Sequence, residues 1–391
     1  MRFQLDAEER EFESQVEAFI QAELDPELQR RVALSLEVPR AMRDDWTRKL
    51  NQVGWVAPNW PVEYGGTGWS MRRRHQFEVL MRKHHAPETQ GFGFNMVGPA
   101  IIKYGSEAQK AYYLPKIRSA EIQWCQGYSE PGAGSDLAGL STRAEIQGDH
   151  YCINGSKIWT SGAEQADHIF LLVRTDPDAK KQLGISFLLL RMDSPGITVE
   201  PLLAFNGKRL WNQVFFDDVR VPREDRLGEE NAGWTVAKNL LGNERLMVSR
   251  VAENKRVLSR VKALFDELGL EADDQFKKRL GTIEIRLASL ESMALRLLSK
   301  FDQGGHVGAE PSMLKLQGSQ LIQAQDQLLF EIVQYYGLPV DDTLRRESSG
   351  PIGSPETEMI ASALFHHRGY TIAGGASEIQ KNIIAQQVLG L

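Results

Sequence analysis

The sequence predicts an α+β protein with a helical N-terminal domain, a middle β domain and a C-terminal helical bundle. Two changes of hydrophobic pattern support this prediction. Apolar residues recur three and four apart from Leu5 to about residue 120 and again after Gly228, whereas short β-branched and aromatic runs fill the interval. Helices, then strands, then helices indicate separately packed layers or domains.

The composition is that of a globular protein with a large core. Of the 391 residues, 42% are hydrophobic and 25% are charged, and the net charge is −6. The one basic block, residues 72–74, is interpreted as a solvated helix face, so no nucleic-acid partner is expected. Cys125 and Cys152 lack CxxC spacing, which argues against a disulfide or zinc framework, and no metal site is predicted.

The start of the chain contains no apolar segment. It reads MRFQLDAEEREFESQV, which is charged and amphipathic, and nowhere do eighteen apolar residues run together. We therefore expect no membrane association and a cytoplasmic location.

The first predicted domain covers residues 1–121. Helical periodicity is seen in EEREFESQVEAFIQAEL, VPRAMRDDWTRKLNQVG, RRRHQFEVLMRKH and EAQKAYYLPKIRS. Between the second and third of these segments, NWPVEYGGTGWS contains Pro61 and three glycines, which indicates a structured loop.

The second predicted domain, residues 122–227, is a small antiparallel sheet or barrel. Its expected strands are residues 151–155, 168–175, 184–192, 197–202 and 213–222. The third domain, residues 228–391, is a bundle with helices near 233–263, 274–303, 311–336, 356–370 and 377–389. Residues 341–355 interrupt the helical pattern and are expected to form an exposed loop.

Two segments of the middle domain have residue types suited to a polar, planar ligand. In YSEPGAGSDLAG (128–139), glycines let backbone N–H groups approach an anion or a ring edge, although an ordinary turn is an equal alternative. The spacing fits neither a Walker loop nor a dinucleotide-binding loop. In KIWTSG (157–162), Trp159 beside two hydroxyls could cover a planar ring, although a core tryptophan is commoner.

Taken together, these segments resemble the acyl-CoA dehydrogenases. SEPGAGSD, KIWTSG, FFDDVRVP (215–222) and GGASEIQKNIIAQQVLG (374–390) occur in that family's order, and WPVEYGGTG (60–68) is similar too. The resemblance covers nearly the whole chain and implies bound FAD, an N-terminal helical domain, a β domain and a four-helix bundle. The residues implied as FAD contacts are Gln126, Tyr128, Ser129, Gly134, Ser135, Trp159, Thr160, Ser161, Gln334, Ala376 and Glu378.

The resemblance also implies a catalytic base. Oxidising an acyl-CoA to its trans-2-enoyl form requires a carboxylate that takes the α-proton while the β-hydrogen leaves as hydride to flavin N5. Many members carry this carboxylate where this chain has Gly374. The isovaleryl and long-chain branches carry it in a segment resembling NERLMVS, which places the base at Glu244. The alternatives are that Glu244 and Arg245 pair within the bundle, or that Glu378 is the base. The residues implied as substrate contacts are Ser135, Arg245 and Gly375.

Contacts that cross a subunit interface in the family are incomplete in this chain. The expected Gln…Gly-Gly is only VQYYGL, with Gln334 and Gly337 but Leu338 in place of the second glycine, and the arginine expected to reach the FAD pyrophosphate has no assignable counterpart in residues 259–281. The chain resembles a bacterial branch in which two related subunits combine, some acting on sterol side chains or dicarboxylic acyl chains. We therefore expect a homo-oligomer or a hetero-oligomer with a related subunit.

Three functions are compatible with these residues. The first is an FAD-dependent acyl-CoA dehydrogenase that passes electrons to an electron-transfer flavoprotein. The second is a catalytically silent subunit of a mixed oligomer, against which the presence of Glu244 argues. The third is a flavin monooxygenase or nitroalkane oxidase on the same fold, which usually has an aspartate or another polar set at the base position.

Overall fold

The computed structural model describes residues 5–87, 91–244, 250–270, 273–305, 308–339, 357 and 359–391; the side chains of residues 241–244 are also outside its description. The N-terminal part is helical, as predicted. Its elements are α1 (Ala7–Glu23), α2 (Pro26–Ala33), α3 (Arg40–Gln52), α4 (Met71–Lys83), a π-helical segment (Phe92–Val97), α5 (Gly98–Tyr104) and α6 (Glu107–Arg118).

Local sequence explains where the N-terminal helices begin, and tertiary contacts explain the basic triplet. Asp6 caps α1 in a capping box with Glu9. Arg72 and Arg73 of α4 form ion pairs with Glu9 and Glu8 of α1. The interpretation of the triplet as a solvated face was therefore incomplete, because two of its arginines connect α4 to α1.

The seven strands of the described chain form one sheet. They are β1 (Trp124–Gly127), β2 (Arg143–Gln147), β3 (His150–Ser161), β4 (His168–Arg174), β5 (Ile185–Arg191), β6 (Ile197–Leu203) and β7 (Arg209–Pro222). The order is β1-β4-β2-β3-β7-β6, and β5 also pairs with β4. β1 and β2 run parallel to β4, whereas the other four pairings are antiparallel, so the sheet predicted as antiparallel is mixed. β1 and β2 were also absent from the sequence prediction.

Strands β4 and β5 are buried on both faces, which explains their unbroken apolar runs. Phe170 and Leu172 of β4 face a core shared with the N-terminal helices. The alternate residues Ile169, Leu171 and Val173 face a second core inside the β domain. One face of β4 therefore packs on the N-terminal helices, and its other face packs in the core inside the β domain.

The C-terminal helices are α7 (Gly233–Glu244), α8 (Val251–Glu267), α9 (Asp274–Asp302), α10 (Glu310–Val333), α11 (Ile360–His367) and α12 (Ser377–Ile384). Helices α8 to α11 share a core of their own, whereas Val236, Ala237 and Leu240 of α7 lie in the core of the N-terminal helices. The segment predicted as one helix near 233–263 contains two, α7 and α8, and Arg250 before α8 has a left-handed φ of 51°. The predicted loop at 341–355 lies outside the described residues.

Contacts of α7 and α4 help to position the bundle against the rest of the molecule. α7 packs on β5, where Gly233 lies so close to the strand that an added Cβ would come within 2.5 Å of the Ser186 carbonyl carbon. α4 packs on α8, where Arg82 forms a 3.0 Å ion pair with Glu253. Within the described ranges, no helix is long and apolar enough to cross a membrane, and no group of three or more His, Cys, Asp or Glu residues could hold a metal ion.

Candidate cofactor and substrate site

The two middle-domain segments singled out from the sequence lie side by side. The chain after β1 carries Tyr128 and Ser129, and the end of β3 carries residues 157–161. The Ile158 N–H donates to the Ser129 carbonyl at 2.8 Å, and Lys157 Nζ donates to the Tyr128 carbonyl at 3.1 Å. Segments thirty residues apart in sequence thus form one surface, as a shared ligand site requires.

A buried ion pair holds this junction. Lys157 Nζ lies 2.7 Å from Glu130 Oε1, and the two side chains are 0% and 5% exposed. Glu130 also accepts from the backbone N–H groups of Ser141 and Thr142 at 2.6 and 2.9 Å. Burial alone would raise the pKa of Glu130, but the Lys157 charge and these hydrogen bonds hold it down at about 2. Burial lowers the pKa of Lys157 to about 8, against the opposing effect of Glu130.

Trp159 points outward because β3 bulges at this place. The pairing with β7 goes from Lys157 directly to Thr160, and Trp159 has a φ of 62° inside the irregular stretch. Its side chain is 59% exposed and meets Trp211 edge-on at 6.0 Å. Thr160 is buried, and its hydroxyl has no hydrogen-bond partner among the residues that the structure describes. The exposed indole is therefore available to a ligand, and the commoner alternative of a core tryptophan does not apply.

The glycine-rich turn of the first segment is open to solvent. Gly134 and Ser135 are exposed, and a Cβ added at Gly134 would meet no atom within 4 Å. Asp136 pairs with Lys181 at 2.8 Å on the surface. Gln126 is half-buried in β1, in register with Phe170 of β4. There is room in front of this turn for a large ligand.

An aromatic chain connects this surface to the C-terminal helices. Trp211 stacks on His366 of α11 at 5.8 Å, and His366 meets Tyr370 at 5.4 Å. Arg250 covers the Tyr370 ring at 3.5 Å. Burial, with His367 and Arg250, lowers the pKa of His366 to about 4, so this ring is neutral near pH 7. The residues after α11 are in this way held near the Trp159 surface.

The chain then makes a tight turn before α12. Gly374 and Gly375 have φ values of 69° and 92°, a region that glycine enters without steric cost. Ala376 precedes α12, and Glu378 is exposed in its first turn. A Cβ added at Gly374 would meet nothing within 4 Å, so the place where many family members carry the base is open space here.

Two buried side chains hold this turn, and the sequence analysis missed both. Lys315 of α10 donates to the Gly375 carbonyl at 2.6 Å. Gln380 of α12 donates to the carbonyls of Gly374 and Gly375, each at 3.3 Å. The available signal was the position of Lys315 in the helical repeat, because residues 311, 315, 318 and 322 all lie on the buried face of α10.

The predicted base and substrate arginine lie at the edge of the described chain. Glu244 is the last residue of α7, and its side chain is outside the described residues. Arg245 is also outside them. Gln334 caps the far end of α10 from Lys315, roughly 28 Å along the helix axis at 1.5 Å per residue. The structure therefore does not bring Gln334 to the glycine turn of the same chain.

The residues present fit FAD. An isoalloxazine is a planar apolar ring with polar edges, and the exposed Trp159 indole beside the half-exposed hydroxyl residues Ser129 and Ser161 offers a face and donors. The glycine-rich segment of residues 128–139 is open to solvent beside Ser135 and leaves space for the rest of the cofactor.

Comparison with known proteins gives the same family along the chain. Residues 6–121, 125–219 and 231–389 match the N-terminal, middle and C-terminal domains of acyl-CoA dehydrogenase, respectively. Acyl-CoA dehydrogenase IpdE1 of Mycobacterium tuberculosis is 34% identical over 355 residues, which cover 89% of this chain and 88% of the relative. The mitochondrial isovaleryl-CoA dehydrogenase of Pongo abelii is 30% identical over 75% of this chain and 70% of its own length.

Solved structures support the same conclusion. The Tcur3481-Tcur3483 steroid ACAD has a TM-score of 0.88 and 29% identity, covering 100% of this chain and 99% of that one. The ChsE4-ChsE5 complex from Mycobacterium tuberculosis has a TM-score of 0.85 and 31% identity, with the same coverage. With three family domains along its length and relatives above 30% identity over most of it, this chain belongs to the acyl-CoA dehydrogenase family of FAD-dependent oxidoreductases.

Proposed function

We propose that this chain oxidises an acyl-CoA thioester to its trans-2-enoyl-CoA, with Glu244 as the base that takes the α-proton. The observation that carries the proposal is the junction of the two motif segments, in which Ser129 accepts from Ile158 and Trp159 stands exposed beside them. The junction offers a planar ring a face and polar edges in a protein whose family is that of acyl-CoA dehydrogenases.

We choose Glu244 as the base because Gly374, at the position where many family members carry it, has no carboxylate. Proton removal needs a carboxylate, and a glycine at the usual place supplies none. Glu244 ends α7, the helix that packs on β5 of the cofactor sheet, and it occupies the register that the isovaleryl and long-chain branches use. An apolar surrounding such as the LLGNERLMVS segment raises the proton affinity of a carboxylate toward the working range.

The other residues of the proposed site bind and orient. Ser135, Arg245 and Gly375 hold the thioester and its pantetheine arm, and the flavin contacts named from the resemblance hold the ring. When bound, FAD accepts the β-hydrogen as hydride. Hydrogen bonds to the thioester oxygen that strengthen as enolate charge develops lower the barrier to proton removal. In this proposal, residues 1–121, 122–227 and 228–391 are the three domains, and an electron-transfer flavoprotein takes the electrons.

We also propose that the working form is an oligomer with a related but different chain. Gln334 lies far from the glycine turn of its own chain, next to exposed Tyr335, Tyr336 and Leu338. Large exposed apolar groups of this kind mark interaction surfaces. The two solved relatives described above are complexes of two named proteins. Flavin-poor protein that regains FAD only with a co-expressed homologue would support this proposal, whereas a fully active homotetramer with one FAD per chain would refute it.

The test of the function is anaerobic mixing of the FAD-loaded protein with a panel of acyl-CoAs, from short straight chains to sterol side-chain thioesters. Bleaching of the flavin absorbance, with enoyl-CoA as product, is the expected result. No bleaching with any thioester indicates a silent subunit. A flavin that is reduced only by an external reductant and then consumes oxygen indicates a monooxygenase.

A further inference from the structure

Lys315 is a buried cation for which the proposed chemistry has so far given no role. It lies on α10 with 3% of its surface exposed. Its Nζ donates to the Gly375 carbonyl at 2.6 Å. Among the residues that the structure describes, no carboxylate lies within ion-pair distance of it. This differs from Lys157, whose ammonium has Glu130 as a partner.

Burial of an ammonium without a counter-ion is unfavourable for folding. Burial, together with the charge of Arg250 before α8, lowers the pKa of Lys315 to about 8, and Glu378 in α12 opposes the shift. Among the residues that the structure describes, these two side chains are the charged groups that act on it. Below pH 8 the side chain therefore remains mostly charged, at a cost to stability that a methionine would avoid.

The segment that Lys315 contacts is the glycine turn. The turn has no side chain of its own at Gly374 and Gly375, and both residues have left-handed φ values. Gln380 alone would hold it through two long hydrogen bonds of 3.3 Å. The bond from Lys315 is shorter and charge-assisted, and bonds of that kind are about twice as strong.

We propose that Lys315 is a positioning residue that fixes the Gly374–Gly375 turn against the acyl thioester and places a positive charge behind it. The proposal rests on the dehydrogenase function and deepens it. A cation on the Gly375 carbonyl polarises the Gly375–Ala376 peptide, so that its N–H becomes a stronger donor. The same charge stabilises the negative charge that develops on the thioester when the α-proton leaves.

A merely structural role makes the opposite prediction for stability. If Lys315 only fastened the turn, its removal would lower the melting temperature and release FAD. If it is held for function, the cost of burying an ammonium that has no carboxylate partner among the described residues exceeds the gain from its bond to Gly375, and an apolar side chain of similar length leaves the fold equally stable or more stable. The two roles therefore differ in the sign of the change.

The experiment compares Lys315→Met with Lys315→Gln and a matched control, Gln323→Met. Gln323 lies on the same helix and donates to another backbone carbonyl, that of His367, at 2.9 Å. We expect both Lys315 variants to keep FAD and the wild-type melting temperature or better. We expect them to reduce flavin with acyl-CoA at least ~10-fold more slowly, because each has lost the charge. The control should reduce flavin at the wild-type rate.

The pH profile separates charge from fastening. In the wild type, the rate of flavin reduction should fall as pH rises through about 8, where Lys315 loses its proton. Lys315→Met should lack this step. Glu378→Gln should move the step to lower pH, because the negative charge that favours the ammonium is gone.

Stability provides a readout that does not need activity. Between pH 8 and the ordinary lysine value of 10.5, the unfolded chain binds more protons at this site than the folded one, so wild-type stability rises with pH. The advantage of Lys315→Met should therefore be greatest near pH 7 and shrink toward pH 10.5.

The proposal is overturned if Lys315→Gln reduces flavin at the wild-type rate, or if Lys315→Met loses FAD and melting temperature together. Failure of the wild type to be bleached by any thioester is a different result. It refutes the dehydrogenase function, and with it this role for Lys315, whatever the stability of the variants.

Discussion

The cofactor junction of the β domain and the glycine turn of the bundle are each held by a buried lysine, and the two lysines differ in their partners. Lys157 has Glu130 at 2.7 Å and a backbone carbonyl. Lys315 has a backbone carbonyl and, among the described residues, no carboxylate. The charge of Lys157 is neutralised by Glu130 within the protein, whereas the charge of Lys315 has no carboxylate partner among the described residues and can act on a bound ligand.

From this difference we expect the junction to contribute mainly to stability and the turn to contribute mainly to catalysis. A satisfied buried pair gives a fixed geometry, and removing one member leaves the other charge without compensation. A buried cation without a carboxylate partner lowers stability, and such a cost recurs where activity needs a destabilised site. We therefore expect mutations at the junction to act first on stability and cofactor retention, and mutations at the turn to act first on rate.

The largest expected loss of stability is at the junction. Lys157→Met leaves the Glu130 carboxylate buried with only backbone and hydroxyl donors, and should lower the free energy of unfolding by about 3–5 kcal/mol. FAD content should fall with it. Urea unfolding of the variant and the wild type measures the first effect, and flavin absorbance of the purified protein measures the second.

The double variant Glu130→Met/Lys157→Met is the control for this interpretation. Because it leaves no isolated charge, it should be more stable than Lys157→Met alone. Equal or greater destabilisation of the double variant would show that the pair contributes packing and hydrogen bonds rather than charge compensation.

A smaller effect is expected at the turn. Gly374→Ala places a Cβ in open space at a φ of 69°, so the added methyl group meets no other atom. The left-handed backbone conformation should nevertheless lower the free energy of unfolding by about 1–2 kcal/mol. Gly134→Ala, where a Cβ would also meet nothing and φ is not positive, is the matched control and should change stability little. A loss at Gly134 as large as at Gly374 would show that strain is not the cause.

The smallest effect is expected for the surface ion pair of the glycine-rich segment, residues 128–139. Asp136 and Lys181 are 2.8 Å apart, but both side chains are more than half exposed. Asp136→Asn should change the free energy of unfolding by less than about 1 kcal/mol. A loss comparable to that of Lys157→Met would contradict the view that burial decides the value of an ion pair in this loop.

Much of the fold could be predicted because its signals are local. The change from helical to strand periodicity gave the order of elements, and β4 and β5 appear as unbroken apolar runs because both faces are buried. β1 and β2 were missed because they are only 4 and 5 residues long. Their parallel pairing with β4 depends on contacts 31 or more residues away in sequence, which no local pattern encodes.

The candidate site was predictable where its chemistry lies in motifs. Trp159 was predicted as a ligand contact because it is an aromatic residue beside two hydroxyls. The structure shows that a bulge in β3 exposes its side chain. Lys157 and Lys315 were missed because a lysine in a sequence is expected at the surface. Only the tertiary structure shows that one lies under the Tyr128 carbonyl and the other under the glycine turn.

Stopped-flow reduction of the flavin in Glu244→Gln tests whether this chain removes the α-proton with Glu244. We expect this variant to keep FAD and to be reduced by acyl-CoA at least ~10²-fold more slowly than the wild type. Glu378→Gln, measured beside it, should be slowed far less at pH 7 than Glu244→Gln. Near-normal reduction of Glu244→Gln, with the loss of rate in Glu378→Gln instead, would show that Glu244 is not the base and that the base lies on α12.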